Sequence, residues 1–192
     1  MKFLKNIAIA SLVGSTALLG AGAAGAFQTA ASTATSNQTA ERMTPNMPLD
    51  MKSFIDTASS IGAFEVVASK LALERGVGGE VKTFAEKVIA DHTAANDELT
   101  ALIATMNPPM AQPKDLNGKY KGLFQTLNEA GPGNASTRAY VDSQRVAHNE
   151  AVALFTAYAQ GGDNAQLQAY ARKYLPALQA HLDHIRRIEA MR

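Results

Sequence analysis

Apolar residues recur every three or four positions along four long stretches of this chain, with polar residues on the opposite side of each turn. The first stretch, from about Asp50 to Glu74, puts Met51, Phe54, Ala58, Ile61, Glu65, Ala68 and Ala72 on one stripe. The second, from about Gly79 to Met106, aligns Val81, Phe84, Val88, His92, Ala95, Leu99, Leu102 and Met106. The third, from about Ser136 to Gln160, aligns Val141, Gln144, His148, Ala151, Phe155 and Tyr158. The fourth, from Asn164 to about Ala190, aligns Leu167, Tyr170, Tyr174, Leu178, His181, Ile185 and Ile188. No stretch alternates with period two, so the pattern predicts helices and no strands.

The breaks between stripes are chemically firm. Gly76, Gly78 and Gly79 predict a tight first turn, and Gly161-Gly162 a tight last one. Asn107-Pro108-Pro109 ends the second helix, because a residue before proline is pushed out of helical backbone. A long link follows, with a short helix near Leu116 to Asn128, before Gly131-Pro132-Gly133 breaks the chain again. Asp50 is the expected cap of the first helix and Asp163 of the fourth. Pro176 lies inside the fourth helix and predicts a kink near Arg172. Four amphipathic helices with short first and last turns read as a bundle. The longer middle link allows helices two and three to run parallel. The expectation is therefore an all-α fold: a ferritin-like four-helix bundle with a short extra helix in the link between helices two and three.

The amino terminus changes the picture of where the chain works. Lys2 and Lys5 precede an apolar stretch from about Ile7 to Leu19, and Ala24-Gly25-Ala26 offers small residues for cleavage before Phe27. This is the pattern of a secretory signal peptide, with an apolar core short for a bilayer span. Residues 1–26 are assigned to it. Residues 27–48, rich in Ala, Thr, Ser, Asn and Gln, read as a disordered leader, and 49–192 as one helical domain. The expected location is the periplasm, with peripheral association with the envelope as an option.

The chain has no cysteine. Thiol catalysis, cysteine-ligated zinc, iron–sulfur clusters and lipid attachment through cysteine are excluded. Removing residues 1–26 takes away two lysines and no acid, leaving 16 basic against 17 acidic residues. Such a balance gives no field for nucleic acid. After cleavage no apolar run is long enough for an integral membrane segment. A protein partner is compatible with the sequence, which does not specify an oligomeric state.

Each predicted helix carries one ionisable side chain on its apolar stripe: Glu65, His92, His148 and His181. Buried polar groups need partners, and helical bundles build metal centres from such inward side chains. Imidazole and carboxylate suit zinc, iron, copper, nickel or manganese, so a transition metal ion is the candidate cofactor. Asp91, Asp142 and His184 lie close enough in sequence to support these four. A di-iron centre also wants a glutamate three residues before each ligating histidine. Here Val88 or Ile89 precedes His92, and Ala177 or Leu178 precedes His181.

A count of helix rise points to separate pairs. At about 1.5 Å per residue, Glu65 and His92 lie about 16 and 24 Å from the first turn, and His148 and His181 about 20 and 29 Å from the last. Equal heights would pair His181 with Asp142, and His92 with Ser59 or Ser60. Buried His–carboxylate pairs also serve a structural role, fixing helix register. No hydroxyl stands in a nucleophile's sequence context. Tyr140, Tyr158, Tyr170 and Tyr174 read as packing residues with hydroxyls at the rim. Arg145 is placed to pair with Asp142.

Four segments together carry a resemblance. FIDTASSIGAFEVVASKLALERG holds Glu65, and VKTFAEKVIADHTAANDELTAL holds Asp91-His92. AYVDSQRVAHNEAVALFTAYAQGG holds Tyr140 and His148, and LQAYARKYLPALQAHLDHI holds Pro176 and His181. In this order and spacing the chain resembles the domain-of-unknown-function family numbered 4142, over roughly residues 50–190. The resemblance implies a ferritin-like bundle exported in bacteria. The family has no accepted activity, and its members often carry an outer membrane protein label that no strand pattern here supports. Two function classes follow: a non-enzymatic envelope protein in binding or stress protection, and a metal-binding ferritin-like protein with weak redox chemistry. An enzymatic role is not indicated by any sequence feature.

Overall fold

The four apolar stripes fold as helices and bury themselves against one another. A computed structural model describes residues 50–192; the expected signal peptide and leader fall outside them. Five helices carry this part of the chain: α1 Met51–Glu74, α2 Gly79–Ala104, α3 Gly118–Glu129, α4 Asn134–Gly161 and α5 Ala165–Ala190. No strand occurs among the described residues. None of their helices is long and apolar enough to cross a membrane.

Local chemistry sets the helix ends. Asp50 is extended and its carboxylate accepts from the Ser53 amide at 2.9 Å, which caps α1. Asn117 caps α3 in the same way through the Tyr120 amide. The cap of α5 is Asn164, not the expected Asp163. Asn164 is the last extended residue, so its side-chain oxygen reaches the amides of Gln166 and Leu167 at 3.0 and 3.1 Å. Asp163 stands one residue too early and accepts the Tyr158 hydroxyl instead, at 2.8 Å. Helix α5 continues through Pro176, whose ring lies on the exposed side.

The helices close into a ring in which α1 packs on α2 and α4, and α5 packs on the same two. Contacts run in opposite senses along adjacent helices. Phe54, early in α1, meets Phe155 and Tyr158, late in α4; Ser69, late in α1, meets Tyr140, early in α4. Along α2 and α5, Glu80 pairs with His184, Asp91 with His181, and Glu98 with Lys173. Helices α4 and α5 are joined by Arg145–Glu189 near one end and Arg172 to the Ala159 carbonyl near the other. It follows that α2 and α4 point the same way from opposite corners of the ring. Helix α3 lies across α1 and α4, with Tyr120 and Leu127 fully buried.

Aromatic packing brackets the middle of the bundle. Toward one end Phe54 stacks on Tyr158 with centroids 4.0 Å apart and touches Phe155 and Tyr170. Toward the other, Phe84 meets Tyr140. Aromatic pairs of this kind add roughly 0.5–1.5 kcal/mol beyond their buried area. The layer between the two clusters holds the ionisable residues of the stripes.

Candidate metal centre

Four helices each turn one ionisable side chain into that layer. Glu65 (α1) and His148 (α4) are fully buried, and His181 (α5) and His92 (α2) nearly so. The three imidazole rings lie with centroids 5.3 to 5.5 Å apart. One nitrogen from each falls within 4.8 Å of the corresponding atoms of the other two. The stripe residues thus form one cluster, and the expectation of separate pairs is corrected.

Carboxylates stand behind the rings. Glu65 Oε2 is 2.8 Å from His92 Nδ1, and Glu65 Oε1 is 3.0 Å from His148 Nδ1. The His148 Nδ1 also lies 3.0 Å from the Gln144 carbonyl, one turn back on its own helix. Asp91 Oδ2 is 2.8 Å from His181 Nε2 and is itself paired with Lys87, also at 2.8 Å. The Gln144 carbonyl beside His148 Nδ1 and the Asp91 carboxylate beside His181 Nε2 are acceptors, and each favours a proton on that ring nitrogen. What remains is His92 Nε2, His148 Nε2 and His181 Nδ1, all three buried and without a hydrogen-bond partner. Both Glu65 oxygens are buried, one beside His92 Nδ1 and the other beside His148 Nδ1.

The electrostatics follow from this packing. Burial alone would push the Glu65 carboxyl up; the imidazoles of His148 and His92 outweigh it and hold the group below the usual carboxylate range. For His181 burial dominates, and His148 and His92 add to it, so its pKa falls from 6.5 to about 4 despite the opposing Asp91. Burial also raises Asp91, but hydrogen bonds from Lys87 and His181 bring it down overall. Phe84 covers one side of the layer, 5.7 Å from the His148 ring and 6.1 Å from that of His181.

Two of the expected supporting residues stand apart. Asp142 is exposed and pairs with Arg192 at 2.8 Å, and Arg145 pairs with Glu189, not with Asp142. Equal height was the wrong criterion for Asp142. Six residues separate it from His148, which turns the helix by about 600° and puts the two on different faces. His184 is bonded to Glu80 at 3.1 Å, outside the three-ring cluster, with its ring against Phe84. Asp91 does support the cluster. Ser60 is occupied by the Asn117 amide at 2.8 Å and does not meet His92.

Other residues carry polar chemistry that the stripes alone did not single out. Tyr120, on the short helix, donates to Glu150 at 2.7 Å, and its hydroxyl is raised by burial and by that carboxylate. The Gln144 amide is buried with neither polar atom partnered. Asn96 lies over Gly62, where a Cβ would stand 2.2 Å from its Oδ1. A glycine within the apolar face of α1 was the available signal for that close approach. Of the four tyrosines read as rim residues, Tyr140 differs: its hydroxyl is buried and 2.8 Å from Ser69 Oγ.

The sequence profile of a family described as a domain of unknown function, DUF4142, matches residues 30–188. No curated protein and no solved structure matches the chain. The profile spans well over half of the sequence, and the chain belongs to that family.

Proposed function

We propose that this member of the family is an exported metal-binding bundle protein with one centre per chain, held by His92, His148 and His181. Two observations carry the reading: one nitrogen of each ring lies within 4.8 Å of the other two, and each ring keeps one buried nitrogen without a partner. A buried polar atom left unpaired costs about 1–3 kcal/mol. Three together, each in a ring whose other nitrogen meets a carboxylate, are what a metal ion would satisfy. A register-fixing pair needs only two groups; here a third ring arrives with its own carboxylate, Asp91.

The arrangement revises the part played by Glu65. Its oxygens lie at the Nδ1 atoms of two histidines, so it orients ligands rather than joining them. Carboxylates in that position hold the tautomer and raise the basicity of the ligating nitrogen. Three imidazoles suit zinc, copper, iron or nickel and do not by themselves choose among them. When bound, such an ion supplies Lewis acidity, and redox capacity if it is iron or copper. The ring order α1–α2–α5–α4, with α2 and α4 parallel, supports a ferritin-like topology. Export rests on the signal-peptide pattern of residues 1–26. A non-enzymatic role in envelope binding or stress protection fits a centre that stores or buffers metal.

The test is metal content by mass spectrometry on untagged protein from its native envelope. The expected result is about one transition metal ion per chain, lost in His92→Ala, His148→Ala and His181→Ala and kept in Asp142→Ala. Glu65→Gln should bind roughly 10–100-fold more weakly, as loss of an orienting carboxylate does. Folded protein that takes up no zinc, copper, iron or nickel, even after incubation with each, would return the cluster to a structural role.

A further inference from the structure

A cavity of about 30 Å³ lies against the histidine layer, on the side away from Phe84. His92, His181, Asp91, Phe155 and Tyr170 are among the residues that line it. The space exists because Ala58, Gly62, Ala95 and Ala151 fill so little of it. Its lining runs from the fully buried Ala151 to the half-buried Asn96 and Tyr174, so it leads from the core to the surface.

The wall has little uncommitted polarity. The Tyr170 hydroxyl donates to the Ala95 carbonyl and that of Tyr174 to Glu98. Asn96 uses its backbone carbonyl, for Thr100 and Gln112, while its side-chain amide forms no hydrogen bond to another described residue. Gly62 is what allows that amide to lie where it does. A water needs roughly 10–15 Å³ of such space, so this volume admits a ligand of two or three heavy atoms.

Charge narrows the class. A divalent ion facing Glu65, Asp91 and the Lys87 bound to Asp91 leaves one positive charge in excess. Three protein ligands also leave a tetrahedral ion one open position. We infer that the cavity receives a small monoanion of two or three heavy atoms on the open side of the centre, oriented by a hydrogen bond from the Asn96 amide. This rests on the three-histidine reading above.

Cobalt(II) and azide test it, because both are read by visible absorption without any turnover. Full-length protein loaded with cobalt(II) is titrated with azide, beside Asn96→Leu and Asn96→Asp. The expected result is one cobalt per chain in all three and saturable band shifts in the wild type. Affinity should fall about tenfold in Asn96→Leu, one hydrogen bond's worth, and further in Asn96→Asp, where like charge is added. Cobalt bound with bands that ignore azide overturns the inference and leaves the centre standing. Equal azide affinity in wild type and Asn96→Leu overturns the role of Asn96. Failure to bind cobalt removes both readings at once.

Discussion

His181 shows how one side chain can be pulled two ways. Burial and two neighbouring imidazoles disfavour its charge, while Asp91 favours it, and the first group prevails. Its pKa is 6.5 when unperturbed and about 4 in the fold. Between those values the unfolded chain takes up a proton that the native state refuses. Metal-free protein is therefore predicted to lose stability as pH falls from about 6.5 to about 4, by at most roughly 3 kcal/mol from this group. Below about 4 both states are protonated and the loss stops growing. Urea unfolding of chelator-treated protein across that range checks it, with His181→Gln as the comparison. A variant with the same pH slope as wild type would remove His181 as the source. Glu65 works in the opposite sense. Its depressed pKa gives stability that is present above its ordinary value of 4.5 and lost as pH falls well below it.

Among the elements, the helices were legible because burial and spacing agree. On α1, Phe54, Ala58, Ile61, Glu65, Ala68 and Ala72 are all buried as the stripe requires. The Asp50 cap is a local matter, written in four consecutive residues, and it too was readable. Asp50→Ala is expected to cost about 1 kcal/mol, by removing an acceptor for the orphan amide of Ser53. Thermal unfolding should show the loss, and Asp50→Ser should recover most of it. Asn164 was harder to see, since Asp163 and Asn164 are both good caps and only the backbone decides which is the last extended residue. The short helix could be placed from its sequence, but its partners could not. Tyr120 finds Glu150 through the packing of α3 on α1 and α4, contacts between residues 30 apart.

For the whole molecule, the sequence showed which residues interrupt the apolar stripes but not at what level they meet. Counting rise from the two turns treats those turns as neighbours. In the fold they lie at opposite ends, because α2 and α4 run parallel. Counting from Gly76 also included residues that precede α2. From the helix ends themselves, Glu65 and His92 come within about one turn of the same level, a gap that the glutamate side chain bridges. Azimuth, which the stripes recorded, was the better guide than height. A ligand that binds only the folded chain stabilises it by mass action, about 2.7 kcal/mol at a hundredfold excess over Kd. For a domain of this size that predicts a rise of about 5–10 °C in the melting temperature with saturating zinc. Calorimetry with and without chelator measures it, and His148→Ala should show no such rise.

The three histidines belong to α2, α4 and α5, and the carboxylates behind them to α1 and α2. No helical hairpin of this chain contains the full set. During synthesis the centre therefore cannot assemble until the last helix has emerged and docked. Once it is assembled, fraying of a single terminus leaves all three rings in place. A bound ion would leave by one of two routes: a whole helix swinging away from the others, or passage through the cavity beside Asn96. Exchange limited by opening of the bundle would slow in stabilised variants, whereas exchange through the cavity would not.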